Sequence, residues 1–109
     1  MAFSTEFVMG AGGAVEVEEI PVSMSGSGNG TVYPLTTVNA GTGAWVWVDG
    51  ERTGNGTQTL NVGSKNYAQN SGTTRGGGGG YFTGNVAISI VTTGYSTTTF
   101  TGKVYVTRM

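Results

Sequence analysis

The chain has 109 residues, which is enough for one domain and too short for two of ordinary size. It has no cysteine and no histidine, charged residues make up only 10% of it, and its net charge is −1. These absences exclude thiol nucleophiles, disulfides, imidazole bases and most transition-metal sites. We therefore expect a non-enzymatic protein with no catalytic residue, no cofactor and no metal site.

The composition favours strands over helices. Glycine contributes 21 residues and threonine 18, and both are poor helix formers. Most apolar residues are valine or aromatic, which suit pleated, half-buried surfaces. Short strand-like segments recur between glycine- and asparagine-rich turns. The sequence predicts an all-β single domain over residues 1–109, an antiparallel β-sandwich or barrel of about seven or eight short strands.

The first strand-like segment is Phe3–Met9, and residues 1–13 are interpreted as an N-terminal arm. Val15–Glu18 alternates strictly between apolar and acidic residues, as a strand with one solvated face does. Its glutamates and the following proline are typical of an edge strand. In the next loop, Asn29–Gly30 favours a type I′ hairpin turn.

Ala44–Val48 is the most strongly β segment, with indoles on one face and valines on the other. Apolar residues on both faces predict a central strand that is covered on both sides. Trp45 and Trp47 are then core residues. The alternative interpretation is a stacking platform for sugars, formed by the two indoles with Tyr33, Tyr67, Tyr81 and Tyr95. Asp49 and Glu51 flank a glycine, which favours a hairpin turn at Asp49–Gly50 over a catalytic or calcium-binding carboxylate pair.

Alternation returns in Thr57–Val62, where Gln58, Leu60 and Val62 share a face, and it then lapses over residues 63–80. We predict a long glycine-rich loop there. Two final strands follow, Val86–Val91 and Phe100–Thr107. The first of them is expected to bury its alternate residues, which are Val86, Ile88 and Ile90.

The pentaglycine tract in this loop lacks the lysine and the helix start of a phosphate-binding loop. Ordering five glycines costs backbone entropy, so something must pack against them. A neighbouring subunit is the simplest partner, because glycine permits close backbone approach. The candidate subunit-contact residues are Gly76, Gly77, Gly78, Gly79, Gly80, Tyr81, Phe3 and Phe7.

Charge is segregated along the chain: the six acidic residues all precede residue 52, and the five basic residues begin there. One interpretation is that the two halves neutralise each other within the fold, and the other is attraction between copies. Five scattered bases form no phosphate-tracking stripe, so we expect no nucleic-acid binding. No segment reads as a signal peptide or a membrane helix, so no membrane insertion is expected.

The opening Phe3–Gly13 and the tract Arg75–Tyr81 resemble parts of glycine-rich minor tail proteins of tailed bacteriophages. Phe82–Val91 is similar to the carboxyl end of lambda-type head decoration protein. The resemblance implies a virion structural subunit, made in the host cytoplasm, in a tail appendage or as a capsid decoration. It would self-associate as a trimer or larger oligomer and dock on other virion proteins. The alternative function is a carbohydrate-binding β-sandwich that uses exposed aromatics on a host-surface glycan.

Overall fold

The computed structural model describes residues 3–9, 13–69 and 75–108, and it confirms the all-β prediction. Nine strands lie within these residues, so the expected count of seven or eight is slightly low. Their bounds are β1 (Phe3–Met9), β2 (Gly13–Gly26), β3 (Thr31–Asn39), β4 (Ala44–Gly54), β5 (Thr57–Val62), β6 (Lys65–Gln69), β7 (Arg75–Phe82), β8 (Asn85–Thr93) and β9 (Thr98–Arg108).

The strands form two antiparallel sheets that pack face to face as a sandwich. The larger sheet has the order β1-β2-β9-β4-β7, and the smaller one has the order β3-β8-β5-β6. Alternate residues of each strand point inwards, as the two-residue period of a strand requires. The fully buried residues between the sheets include Val46, Leu60, Ile90, Phe100 and Val104.

Two sequence predictions about buried faces are confirmed. Gln58, Leu60 and Val62 of β5 are all buried on one face, and so are the alternate residues of β8 that the sequence singled out. Gln58 is the polar member of the β5 set. Its side-chain amide donates hydrogen bonds to the Thr98 hydroxyl at 2.8 Å and to the Thr99 carbonyl at 3.0 Å. Hydrogen bonding compensates much of the cost of burying this polar group.

The predicted hairpin turn at Asn29–Gly30 is wrong. β2 pairs with β9 and β3 pairs with β8, so the connection between β2 and β3 crosses from one sheet to the other. A type I′ turn needs a positive φ at both central residues. Gly30 has a φ of 83°, but Asn29 does not have a positive φ, because no non-glycine residue of the described chain has one. The asparagine-glycine pair here marks a crossover loop.

The predicted turn at Asp49–Gly50 is also wrong, because β4 runs straight through it to Gly54. Gly50 pairs with Gly102 of β9 and with Gly76 of β7. A side chain at Gly50 would overlap the buried Phe100 ring and the β9 backbone. This glycine therefore makes room for a core aromatic inside a strand.

The long glycine-rich loop over residues 63–80 is contradicted in the parts that the structure describes. Residues 65–69 form β6, and the pentaglycine lies within β7, paired with β4. Residues 70–74 of the predicted loop lie outside the described residues. Because glycine has no side chain, the tract shows no alternation of apolar and polar residues, and the sequence pattern does not indicate a strand. The groups that pack against it come from elsewhere in the chain.

The pentaglycine is packed from both sides within the chain. On the inner face, the Tyr67 ring lies where a Gly78 side chain would be, and the Lys65 side chain lies where that of Gly80 would be. On the outer face, a side chain at Gly77 or Gly79 would overlap the β4 backbone. The expected packing against the tract is therefore present within the chain, and contact with a neighbouring subunit stays a prediction.

The segregated charges meet inside one molecule. Among the described residues, the ion pairs join acids of the first half to bases of the second half. The Arg108 guanidinium lies 3.0 Å from the Glu18 carboxylate, and Lys103 lies 3.1 Å from Glu19. This is the arrangement that the intramolecular interpretation predicts.

β1 pairs with β2 over its whole length, from Phe3 to Met9. β2 also pairs with β9 from Val17 to Gly26, so β2 lies between two strands and the edge position predicted from its glutamates and proline is wrong. β1, which lies in the segment that was interpreted as an N-terminal arm, is the edge strand here.

Candidate functional site

The outer face of β4 is exposed to solvent, although the sequence predicts a strand covered on both sides. Val46 and Val48 are buried inside the sandwich, and Trp45 and Trp47 point outwards with 48% and 38% of their surface exposed. The prediction is right for the valine face and wrong for the indole face, because no second layer covers the indoles in the described structure. Large exposed apolar surface usually marks an interaction site.

Two tyrosines from neighbouring strands join the indoles. Tyr81 of β7 is the cross-strand partner of Trp45, and their ring centroids lie 5.4 Å apart at an interplanar angle of 68°. Tyr105 of β9 is the partner of Trp47, at 5.8 Å and 19°. Both geometries are favourable for aromatic pairs. We call Trp45, Trp47, Tyr81 and Tyr105 the aromatic platform.

One side of Trp47 has no side-chain neighbour across the sheet. Tyr105 stacks on the indole from the β9 side, and the partner on the β7 side is Gly79. Cross-strand neighbours on one face normally contact each other through their side chains. Because Gly79 has none, no side chain of β7 lies directly across the sheet from Trp47.

A polar pocket continues the platform along β4. Its volume is about 220 Å³, and it is lined by Asp49, Gly50, Glu51, Arg75, Thr101, Gly102, Lys103 and Tyr105. The Arg75 guanidinium lies 2.6 Å from the Asp49 carboxylate and 3.3 Å from that of Glu51. Tyr105 therefore belongs both to the platform and to the pocket wall.

The charges around the pocket are nearly balanced. The hydrogen bond to Asp49 raises the pKa of Arg75, and the hydrogen bond to Glu19 raises the pKa of Lys103. Both bases therefore stay cationic at neutral pH. With Glu51 they make three acids and two bases, so the pocket and its ion pairs carry a net charge of −1.

In the part of the chain that the structure describes, no three acidic side chains gather closely enough to hold a metal ion. Asp49 and Glu51 face the same arginine, which holds them in ion pairs. The described residues also include no helix that is long and apolar enough to cross a membrane.

The predicted subunit-contact residues lie at opposite edges of one sheet. Gly76–Gly80 and Tyr81 belong to β7, whereas Phe3 and Phe7 belong to β1. The fold therefore does not bring the two groups together within one molecule. Their role as subunit contacts stays a prediction.

Sequence reasoning missed Tyr105 and placed Tyr67 with the indoles, whereas the Tyr67 ring lies against Gly78 on the inner face of β7. Tyr105 lies at an alternate position of β9, but only the register between β4 and β9 places it beside Trp47. Tyr67 fell in the predicted loop, and its contact with the pentaglycine joins two different sheets. Local patterns contain neither the register nor the sheet assignment.

Comparison with known proteins gave no match to a family model, to a curated protein or to a solved structure.

Proposed function

We propose that the protein is a non-enzymatic carbohydrate-binding β-sandwich, and that the aromatic platform is its binding surface. The observation that carries the proposal is the set of four aromatic rings on one exposed face, beside a polar pocket. Ligand sites combine apolar and aromatic surface with a few polar groups that fix orientation. A sugar ring presents the matching chemistry, because its C–H face is apolar and its rim carries hydroxyls.

The exposed Trp47 indole gives a sugar ring a place to stack. Its cross-strand partner on β7, Gly79, has no side chain to compete for the ring, and Tyr105 stacks on it from the β9 side. A ring stacked there lies next to Asp49 and Arg75, whose carboxylate and guanidinium can accept and donate hydrogen bonds.

The charge balance favours neutral glycans over anionic ones. The pocket and its ion pairs carry three acids and two bases, so a uronic or sialic carboxylate gains no net attraction. The pocket volume of about 220 Å³ is below the range of pockets that enclose a whole small molecule. We expect an open surface that holds part of a longer saccharide chain.

The proposal is tested by titrating neutral polysaccharides and their oligomers while recording tryptophan fluorescence and binding heat. We expect Trp47→Ala to weaken binding about 30-fold, because truncating a central aromatic costs ~2 kcal/mol or more. Tyr95→Ala is the matched control, since Tyr95 is 85% exposed in the loop before β9 and lies outside the platform. Equal losses in both variants, or no binding by the unaltered protein, would reject the assignment.

A second candidate function is a virion structural subunit of a tailed bacteriophage. The two edge strands of the larger sheet, β1 and β7, support it. The outer edge of such a strand can pair with another chain, as assembly into a virion requires. The resemblance of Phe3–Gly13 to phage minor tail proteins points the same way.

The two candidates differ in their solution behaviour. A virion subunit is expected to form trimers or larger assemblies as its concentration rises, which sedimentation velocity measures directly. If the protein stays monomeric at every concentration and binds a glycan through Trp47, the virion candidate is rejected and the carbohydrate-binding function remains.

A further inference from the structure

The larger sheet ends in two strand edges of similar length. β1 has 7 residues and β7 has 8, and each pairs with one strand only. The outer edge of such a strand presents backbone N–H and C=O groups that can pair with another chain. Side-chain charges, prolines or bulges usually protect these edges.

β7 has little protection of that kind. Its sequence is Arg75, five glycines, Tyr81 and Phe82, so its middle carries no side chain of its own. In an antiparallel ladder, alternate residues direct both backbone groups away from the partner strand. Gly79 is one of these residues, because its N–H and C=O both bond to a group outside β4, and by the same period Gly77 is another.

That group is the hydroxyl of Tyr67, which reaches across from the edge strand of the other sheet. It donates a hydrogen bond to the Gly79 carbonyl at 2.9 Å and accepts one from the Gly79 N–H at 3.1 Å. One side chain thus satisfies both of the outward groups that a new strand would need at this position. The Tyr67 ring is half-buried against Gly78, which holds the hydroxyl in place.

We propose that the β7 edge is a pairing surface for β1 of a second copy of this chain, and that the Tyr67 hydroxyl keeps it closed in the isolated molecule. Pairing continues the larger sheet from one copy into the next, head to tail, and therefore builds a ring or a filament. It begins only when an incoming strand displaces the hydroxyl from Gly79.

Two observations favour β1 as the partner. The two strands match in length, at 7 and 8 residues. They are the opposite edges of the same sheet, so pairing between them lets that sheet continue from one copy into the next. The predicted subunit-contact residues lie on these same two edges.

Tyr67→Phe tests the proposal, because it keeps the ring and removes the hydroxyl alone. We expect amide exchange at Gly79 to become at least tenfold faster when the variant is dilute and monomeric. We also expect Tyr67→Phe to self-associate, in sedimentation velocity, at concentrations at least tenfold below those that the unaltered chain requires. A synthetic peptide of residues 3–9 should reverse that association, and Tyr33→Phe is the control, since its hydroxyl bonds to Ser27 away from β7.

Equal association of Tyr67→Phe and the unaltered chain would overturn the proposal, and so would association that the peptide leaves unchanged. Near-ultraviolet circular dichroism of Tyr67→Phe establishes that the fold is intact before either result is interpreted. The proposal concerns self-association alone. Loss of glycan binding in Trp47→Ala neither supports nor weakens it, so its failure and that of the carbohydrate-binding function are separate results.

Discussion

Gly79 serves two purposes that no other residue type could combine. It puts no side chain across the sheet from Trp47, and it lets β7 lie so close to β4 that a Cβ would overlap the Val46 carbonyl and the Trp47 backbone. Backbone atoms in the middle of a sheet cannot move aside cheaply.

We therefore expect Gly79→Ala to lower the free energy of unfolding by about 1–3 kcal/mol, the usual cost of overpacking. Gly84→Ala is the comparison, because that glycine has open space around it and a φ of 73°. Its cost is the backbone strain alone, roughly 1 kcal/mol. Urea denaturation measures both, and a larger loss at Gly84 than at Gly79 would contradict the packing described for β7.

Lys103 gives a prediction for alkaline pH. Its hydrogen bond to Glu19 raises its pKa above 10.5, so the folded state holds the proton more tightly than the unfolded state. The stabilisation is complete below the unfolded pKa and is lost as the pH rises through the folded one.

We expect the melting temperature of the unaltered chain to exceed that of Lys103→Met at pH 7–9, by a small margin because the pair is solvent-exposed. The margin should shrink as the pH rises through the raised pKa of Lys103, because the folded state then loses the proton that the ion pair holds. A difference that grows with pH would contradict this sign.

At the scale of elements, a buried polar cluster ties three strands together. The Thr98 hydroxyl of β9 accepts hydrogen bonds from Arg52 of β4 at 3.1 Å and from Gln58 of β5 at 2.8 Å. It donates one to the Thr53 carbonyl at 2.8 Å. Arg52 also donates to the Gly56 carbonyl, and its burial lowers its pKa.

Thr98→Val keeps the side-chain shape and removes the hydroxyl. Two buried donors then lose one acceptor, so we expect a loss of about 1–3 kcal/mol in the free energy of unfolding. Thr101→Val on the exposed face of the same strand is the control and should change stability by less than about 0.5 kcal/mol. Urea denaturation measures both variants. If Thr98→Val and Thr101→Val lose the same free energy of unfolding, the cluster does not contribute to stability.

The elements also show how far the sequence predicts this fold. Alternation locates β5 and β8 because each buries one face, and composition alone indicates the all-β class. β7 is not predictable in this way, because the reasons for its glycines are the Tyr67 ring on one side and the β4 backbone on the other. Both contacts depend on which sheet each strand joins.

The sequence predicts the candidate site only in part, because exposure of a strand face depends on how the two sheets pack. The i, i+2 spacing places Trp45 and Trp47 on one face, but it does not tell whether another layer covers that face. The structure leaves it open, because the smaller sheet packs on the valine side of β4. Exposure of an apolar strand face is thus a property of the layer arrangement.

At the scale of the whole molecule, the inner and outer faces of the sandwich differ in what they contact. The inner faces of the two sheets hold the core, and the outer face of β4 presents the aromatic platform. A further strand could add only at a sheet edge, and at the β7 edge the Tyr67 hydroxyl occupies the outward N–H and C=O of Gly79. Ion pairs between the two halves of the chain lie beside the platform and leave the pocket with a net charge of only −1.

The central claim is that the aromatic platform is a carbohydrate-binding surface, and chemical-shift mapping of the isotope-labelled protein with a neutral oligosaccharide tests it most directly. The account predicts that the largest shifts fall on the indole N–H groups of Trp45 and Trp47 and on the amides of Gly77, Gly79 and Tyr105. Shifts confined to Val32, Tyr95 or the smaller sheet, or no shifts with any neutral glycan, would contradict it.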